Sequence, residues 1–337
     1  MNRRDFAKYS SAYMGGLMTL PIDSNREINA IDEKRLPRLL SPGDTIALIA
    51  PGSSISDEKI EKAKTNLMAL GLKVREGKYI REKYGYTAGK DNERIADIHW
   101  AFSDPTIDGI WCVRGGYGCT RLLPYLDYAL IKKNPKILIG YSDITALHLA
   151  IYKKTGLTTF HGPVGSSKFT NFTTEHLQKM FFKPTEGQNI QHLDPSKVVV
   201  LSSGTAKGKL IGGNLSLVSA MCGTAYLPSA KGKIVFLEDV EEKPYSIDRM
   251  LIQLEQAWDL KKAKGILLGE FADCDSESDR SLTLLETLEN HFKDCGIPVL
   301  YNVPFGHIDD QATLPIGIKV SMHTKTKDII FLENWIK

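Results

Sequence analysis

Three stretches of this sequence hold residue types that together can cleave an acyl bond. The first is Lys136–His148, KILIGYSDITALH. Ile137-Leu138-Ile139 reads as a buried strand, Gly140 ends it, and Ile144-Thr145-Ala146-Leu147 opens a helical pattern. A serine on a tight strand-to-helix turn exposes its hydroxyl, and the next amide points the same way at the positive end of the new helix. Ser142 therefore fits a nucleophile, with the amide of Asp143 as one oxyanion donor. Ile144 stands where the second glycine of G-x-S-x-G would be. The competing reading is that Ser142 or Asp143 only caps the helix.

A serine nucleophile needs a base, and the base needs an orienting acid. Of eight histidines, two follow apolar strands at turns: His161, before Gly162-Pro163, and His307, in Val303-Pro304-Phe305-Gly306-His307. Each competes with a structural, hydrogen-bonded role. His148 lies nearly two turns into the helix after Ser142 and is expected to point away. The acid comes from Phe236-Leu237-Glu238-Asp239-Val240-Glu241-Glu242, where Glu238 is nearest the strand end. Asp239 and the later carboxylates read as a solvated face, and Asp248 with Arg249 as a structural pair. A second oxyanion donor fits Arg114-Gly115-Gly116-Tyr117-Gly118, where glycines let backbone amides approach a ligand. The alternative is a flexible turn. A cysteine nucleophile is the weaker option, because Cys112 sits inside a strand and Cys119 has no evident base.

These residues need a scaffold. Strands at 44–50, 73–74, 108–113, 137–139 and 157–160 alternate with helices at 58–70, 91–102, 120–126, 145–153 and 174–182. That alternation implies a parallel, three-layer α/β domain of flavodoxin or Rossmann type over 36–185, with ligands beyond the carboxyl ends of its strands. The loops at 51–54, 114–118 and 140–143 all fall there. A polar stretch over 186–200 reads as a linker. From 201 to 337 the texture changes to a mixed α/β domain that carries Glu238 and His307. Its first strands are expected to be short and broken by Gly204, Gly208 and Gly212-Gly213, and a hairpin is expected over 318–332.

Composition sets the class. The chain has 337 residues, 42% hydrophobic and 25% charged, with a formal net charge of +3. That balance is ordinary for a globular protein and argues against a dedicated nucleic-acid surface. Five scattered cysteines form neither a disulfide framework nor a zinc pattern. Arg3-Arg4 ahead of a mildly apolar stretch to Ile22 reads as a possible twin-arginine signal over 1–30, too short and polar to span a membrane. It has no A-x-A site, and Ala7 stands where a bulky apolar residue is usual. A frayed tail with chance arginines is the other reading.

RGGYG at 114–118, GYSDIT at 140–145, GGNL at 212–215, LEDVEEKPYSIDRML at 237–251 and FGH at 305–307 together resemble the LD-carboxypeptidase family of serine peptidases. The family trims murein peptides and includes the microcin C self-immunity peptidases. The resemblance runs from about Arg38 to near the C-terminus. It implies a catalytic triad of Ser142, Glu238 and His307, and an oxyanion hole from the amides of Gly116 and Asp143. It also implies an active site between two domains, a homodimer, and release of terminal D-alanine with neither metal nor cofactor. Arg114 and Gly115 are candidates for binding the substrate carboxylate. Location is periplasmic or envelope if the arginine segment is a signal, and cytoplasmic otherwise. The runner-up activity is cleavage of a peptidyl-nucleotide antibiotic. A non-catalytic murein-peptide binder is the reading from another class.

Overall fold

A computed structural model describes residues 34–337, apart from Glu186, Gln191 and Leu193. The twin-arginine segment lies outside the described residues. Among those described, no helix is long and apolar enough to cross a membrane.

The chain builds two α/β domains, each around one sheet. The first sheet takes β1 (Thr45–Ile49), β2 (Lys73–Glu76), β3 (Gly109–Cys112), β4 (Ile137–Gly140) and β5 (Phe160–His161), all parallel, in the order β5-β4-β3-β1-β2. The strands β3 and β4 are buried at every position, as expected for aliphatic runs covered on both faces. Crossovers are α1 (Asp57–Ala69), α2 (Asp91–Ser103), α3 (Tyr128–Lys133) and α4 (Thr145–Thr155), followed by α5 (Asn171–Phe181). The order reverses at β1, so right-handed crossovers put α1 on one face and α2 to α4 on the other. The crevice at that reversal lies between the loops after β1 and β3.

The second sheet is mixed. It contains β6 (Val199–Ser202), β7 (Thr205–Asn214), β8 (Ile234–Val240), β9 (Gly265–Ala272) and β10 (Val299–Tyr301). The strands β7, β8, β9 and β10 run parallel, and β6 joins β10 antiparallel. Helices α6 (Leu215–Ala220), α7 (Pro244–Ala257) and α8 (Leu284–Phe292) accompany them. After β10 the chain returns to the first sheet, where β11 (Leu314–Pro315) pairs antiparallel with β5. The expected hairpin is β12 (Lys319–His323) with β13 (Asp328–Phe331), and β12 closes on β7. Beyond it, the Trp335 indole donates to the Met180 carbonyl at 2.8 Å, and Lys337 pairs with Pro37 and Leu39.

Two expectations are corrected. Residues 119–125 form two short 3₁₀ turns, Cys119–Arg121 and Leu123–Tyr125, instead of a helix. Pro124 cannot donate to a continuing ladder, and the helix starts later, where the Asp127 side chain accepts from the Leu130 amide. The strand β7 runs unbroken through Gly208, Gly212 and Gly213. Those glycines mark close approaches of backbone: a Cβ at Gly212 would overlap the Phe236 carbonyl, and one at Gly213 would lie 2.5 Å from Thr145 Oγ1.

Candidate active site

The serine turn is held in an unusual backbone. Ser142 has φ 63°, in the left-handed region that non-glycine residues avoid unless their surroundings enforce it. The turn continues as a 3₁₀ segment, Ser142–Ile144, directly into α4. Neither Ser142 nor Asp143 caps this turn or helix through its side chain. Asp143 is buried, and its Oδ2 accepts from the Cys119 amide at 2.9 Å. Burial pushes its carboxyl above the usual range, and the bonds from Cys119 oppose the shift. Asp143 thus ties the serine turn to the far end of the glycine loop.

The glycine loop lies against the same turn. A Cβ at Gly115 would sit 2.9 Å from Ser142 Cβ and 3.1 Å from both the Asp143 nitrogen and the Tyr141 carbonyl. The loop after β1 closes the other side: Ser53 N donates to Gly115 O at 3.1 Å, and Tyr117 N donates to Ser53 Oγ at 3.0 Å. Gly116 has φ 99° and leaves no room for a side chain beside Ser53. Arg114 is half-buried and donates through Nη1 to the Ser54 carbonyl at 3.0 Å. All three loops predicted to line the site meet here.

The residues expected as acid and base come from the second half of the chain. Glu238 stands on β8 at a register shift against β9 and is fully buried. Its Oε2 lies 2.7 Å from His307 Nδ1. A carboxylate only accepts, so this bond assigns the proton to Nδ1 and leaves Nε2 free to take another. Gly306 makes the approach possible: at φ 113°, a Cβ there would fall 2.9 Å from Glu238 Cβ. Burial favours neutral His307, but the hydrogen bond it donates to Glu238 and the nearby acidic charges outweigh it and raise the imidazole pKa above its ordinary value. The His307 ring packs edge-on to Tyr141, the residue before the serine, at 4.7 Å between ring centres. Among the described residues the Ser142 hydroxyl makes no hydrogen bond of its own, to His307 included.

The other candidates fall away from the chemistry. His161 is buried against Tyr141, Phe236 and Phe305, and neither ring nitrogen has a partner among the described residues. Burial holds it neutral, well below the usual histidine range. His148 bonds the Gly140 carbonyl at 2.9 Å. Cys112 and Cys119 are buried, and burial with the Asp143 charge suppresses both thiolates. Two further readings are corrected. Asp239 is not solvated but 2% exposed, bonded to Asn214 and Ser216. Asp248 pairs with His291 at 2.9 Å, not with Arg249, because α8 packs on α7. Sequence reading missed Tyr141, Thr145, Asn214 and Asp239; the polar Asn214 beside two glycines at a strand end was the available signal.

Known proteins resemble this chain in sequence and in fold. A model of the LD-carboxypeptidase N-terminal domain matches residues 46–162, and one of the LD-carboxypeptidase C-terminal domain matches 207–322. A probable murein peptide carboxypeptidase of Bacillus subtilis is 40% identical over 299 residues, 87% of this chain and 93% of that protein. The murein tetrapeptide carboxypeptidase of Pseudomonas aeruginosa is 33% identical, covering 81% of this chain and 91% of its own. The solved microcin C7 self-immunity protein MccF superposes with a TM-score of 0.83 at 27% identity, over 90% of this chain and all of that one. Two matched domains in order, nearly full-length relatives and a shared fold lead to one conclusion: this chain belongs to the LD-carboxypeptidase family of peptidases.

Proposed function

We propose that the protein is a serine carboxypeptidase that hydrolyses the L,D-amide bond releasing terminal D-alanine from murein tetrapeptides. The observation that carries this reading is the 2.7 Å bond between Glu238 and His307, with the His307 ring packed on Tyr141 beside the left-handed Ser142. The printed names of the murein carboxypeptidase relatives support the substrate.

His307 Nε2 takes the proton of Ser142, and Oγ attacks the scissile carbonyl. Hydrogen bonds in catalytic sites tighten as substrate binds, so the unbonded hydroxyl is compatible with this step. The amides of Asp143 and Gly116 hold the oxyanion, each worth about 2.7–4 kcal/mol in serine peptidases. Glu238 fixes the imidazole tautomer and stabilises its charged form. His307 then protonates the leaving amine, and water releases the acyl group from Ser142. Arg114, half-buried, and Gly115, against the serine turn, receive the substrate's free carboxylate. The nucleophile domain spans 36–185 and the domain carrying acid and base 201–337, joined by 186–200, with β6 beginning at the end of the joining stretch and β11 lent back to the first sheet. The active form is a homodimer, which light scattering of the eluting protein tests.

The deciding experiment is mass spectrometry of a murein tetrapeptide incubated with wild type and Ser142→Ala. Loss of one alanine with wild type alone supports the reading. Release by both removes Ser142 from the mechanism. Release by neither, with cleavage of a peptidyl-adenylate, would move the protein to the activity suggested by its MccF likeness.

A further inference from the structure

Ser142 is set by the first sheet, Glu238 and His307 by the second. What fixes the distance between them decides whether proton transfer can occur. One buried chain of hydrogen bonds runs from one side to the other. Thr145, the first residue of α4 after the serine turn, accepts through Oγ1 from the Asn214 amide at 3.0 Å. Gly213 leaves room for the Thr145 side chain to reach that distance. Asn214 Nδ2 donates to Asp239 Oδ1 at 2.8 Å. Asp239 Oδ2 accepts from Ser216 N at 2.9 Å and Ser216 Oγ at 2.8 Å, and Val240 N adds a bond to Oδ1. Asp239 is the direct neighbour of Glu238.

A second buried carboxylate beside Glu238 calls for a reason. Burial and the Glu238 charge both disfavour its ionised form and push its pKa up to about 6, against the pull of its hydrogen bonds. An apolar residue would avoid that cost but would leave Asn214 Nδ2, Ser216 and Val240 as unpaired donors. Only an ionised carboxylate accepts four donors at once. Cys274 and His307 are titratable groups that feel its charge.

We propose that Asp239 is a positioning residue, which through Asn214 and Thr145 holds the Glu238–His307 pair at its working separation from Ser142. The proposal rests on the triad reading above, and the two can fail separately.

The test measures kcat and KM for alanine release, and the rate at which a fluorophosphonate labels Ser142, in wild type and four variants: Asp239→Asn, Thr145→Val, Thr145→Ser and the Asp239→Asn/Thr145→Val double. An asparagine at 239 turns a donor toward Asn214 or Ser216. Misplacement of reacting groups lowers kcat and labelling about ten- to a hundredfold in Asp239→Asn and about tenfold in Thr145→Val, with KM nearly unchanged. Thr145→Ser keeps the acceptor and stays close to wild type. The double variant is no worse than Asp239→Asn, because both cut one chain. Folded Thr145→Val with wild-type kcat and labelling overturns the proposal, as do effects that multiply in the double variant. If Asp239→Asn does not fold, the Thr145→Val and Thr145→Ser pair still decides. If Ser142→Ala retains alanine release, it is the triad reading that falls.

Discussion

Replacing Gly115 by alanine tests the contact between the glycine loop and the nucleophile. Gly115 is not in the left-handed region, so the substitution probes space alone. Its Cβ would lie 2.9 Å from Ser142 Cβ and 3.1 Å from the Asp143 nitrogen and the Tyr141 carbonyl. All three atoms are backbone or fixed to it, so no side chain can rotate aside. Ordinary contact begins near 3.4 Å, and the loop must retreat from the serine turn by about 0.5 Å. That motion carries the Gly116 amide with it. A 1 Å misplacement costs about a hundredfold and loss of one oxyanion donor about a hundred- to a thousandfold, so half that displacement predicts a fall in kcat of about ten- to a hundredfold. Overpacking costs about 1–3 kcal/mol of stability, a few degrees in Tm for a protein of this size. The assay is alanine release under saturating tetrapeptide, with fluorophosphonate labelling of Ser142 and a melting curve beside it. A folded Gly115→Ala enzyme with wild-type kcat would show that the loop does not contribute an oxyanion donor, and the mechanism would need another.

Three further outcomes follow from the site. His307 must be neutral to act as base and its pKa is raised, so kcat/KM rises with pH through a midpoint above the ordinary histidine value of about 6.5; Glu238→Gln removes the charge that helps raise it, and the midpoint falls along with kcat. Gly306→Ala places a Cβ 2.9 Å from Glu238 Cβ at φ 113°, and strain of about 1–3 kcal/mol should appear as a lower Tm together with a lower kcat; unchanged kcat would mean that the Glu238–His307 contact does not govern turnover. His161→Phe replaces a ring without polar partners inside an aromatic cluster, and should keep activity with stability equal to or above wild type. Loss of activity in a folded His161→Phe protein would reopen the choice of base.

The parts of the site legible in the sequence are those where one residue type answers one local demand. The aliphatic run Ile137–Ile139 followed by glycine, serine and a helical pattern could only be a buried strand feeding a turn, and the φ of Ser142 agrees with the strained bend read there. Proline and glycine around His307 marked an imposed backbone, and Gly306 is where Glu238 presses closest. What local pattern could not reveal is set by contacts between distant segments. Strand alternation sends Glu238 and Asp239 to opposite faces of the sheet, but β8 is a central parallel strand covered on both, so both are buried. Gly212 and Gly213 looked like strand breakers because the groups that crowd them, the Phe236 backbone and the Thr145 side chain, lie far away in sequence. The resemblance to a family, carried by five motifs in order, supplied the choice of His307 over His161 that neither histidine's neighbours could make.

The return of β11 to the first sheet orders events during synthesis. The edge of β5 waits for Leu314, about 150 residues after His161. At synthesis rates of about 5–20 residues per second, that is roughly 8–30 seconds on the ribosome with a strand edge open. Throughout that interval the nascent chain already carries Ser142 but not the histidine proposed to activate it, since His307 emerges just ahead of the closing strand. The hydrolase therefore becomes complete in its fold and competent in its chemistry at nearly the same moment, and no long-lived intermediate holds an activated serine.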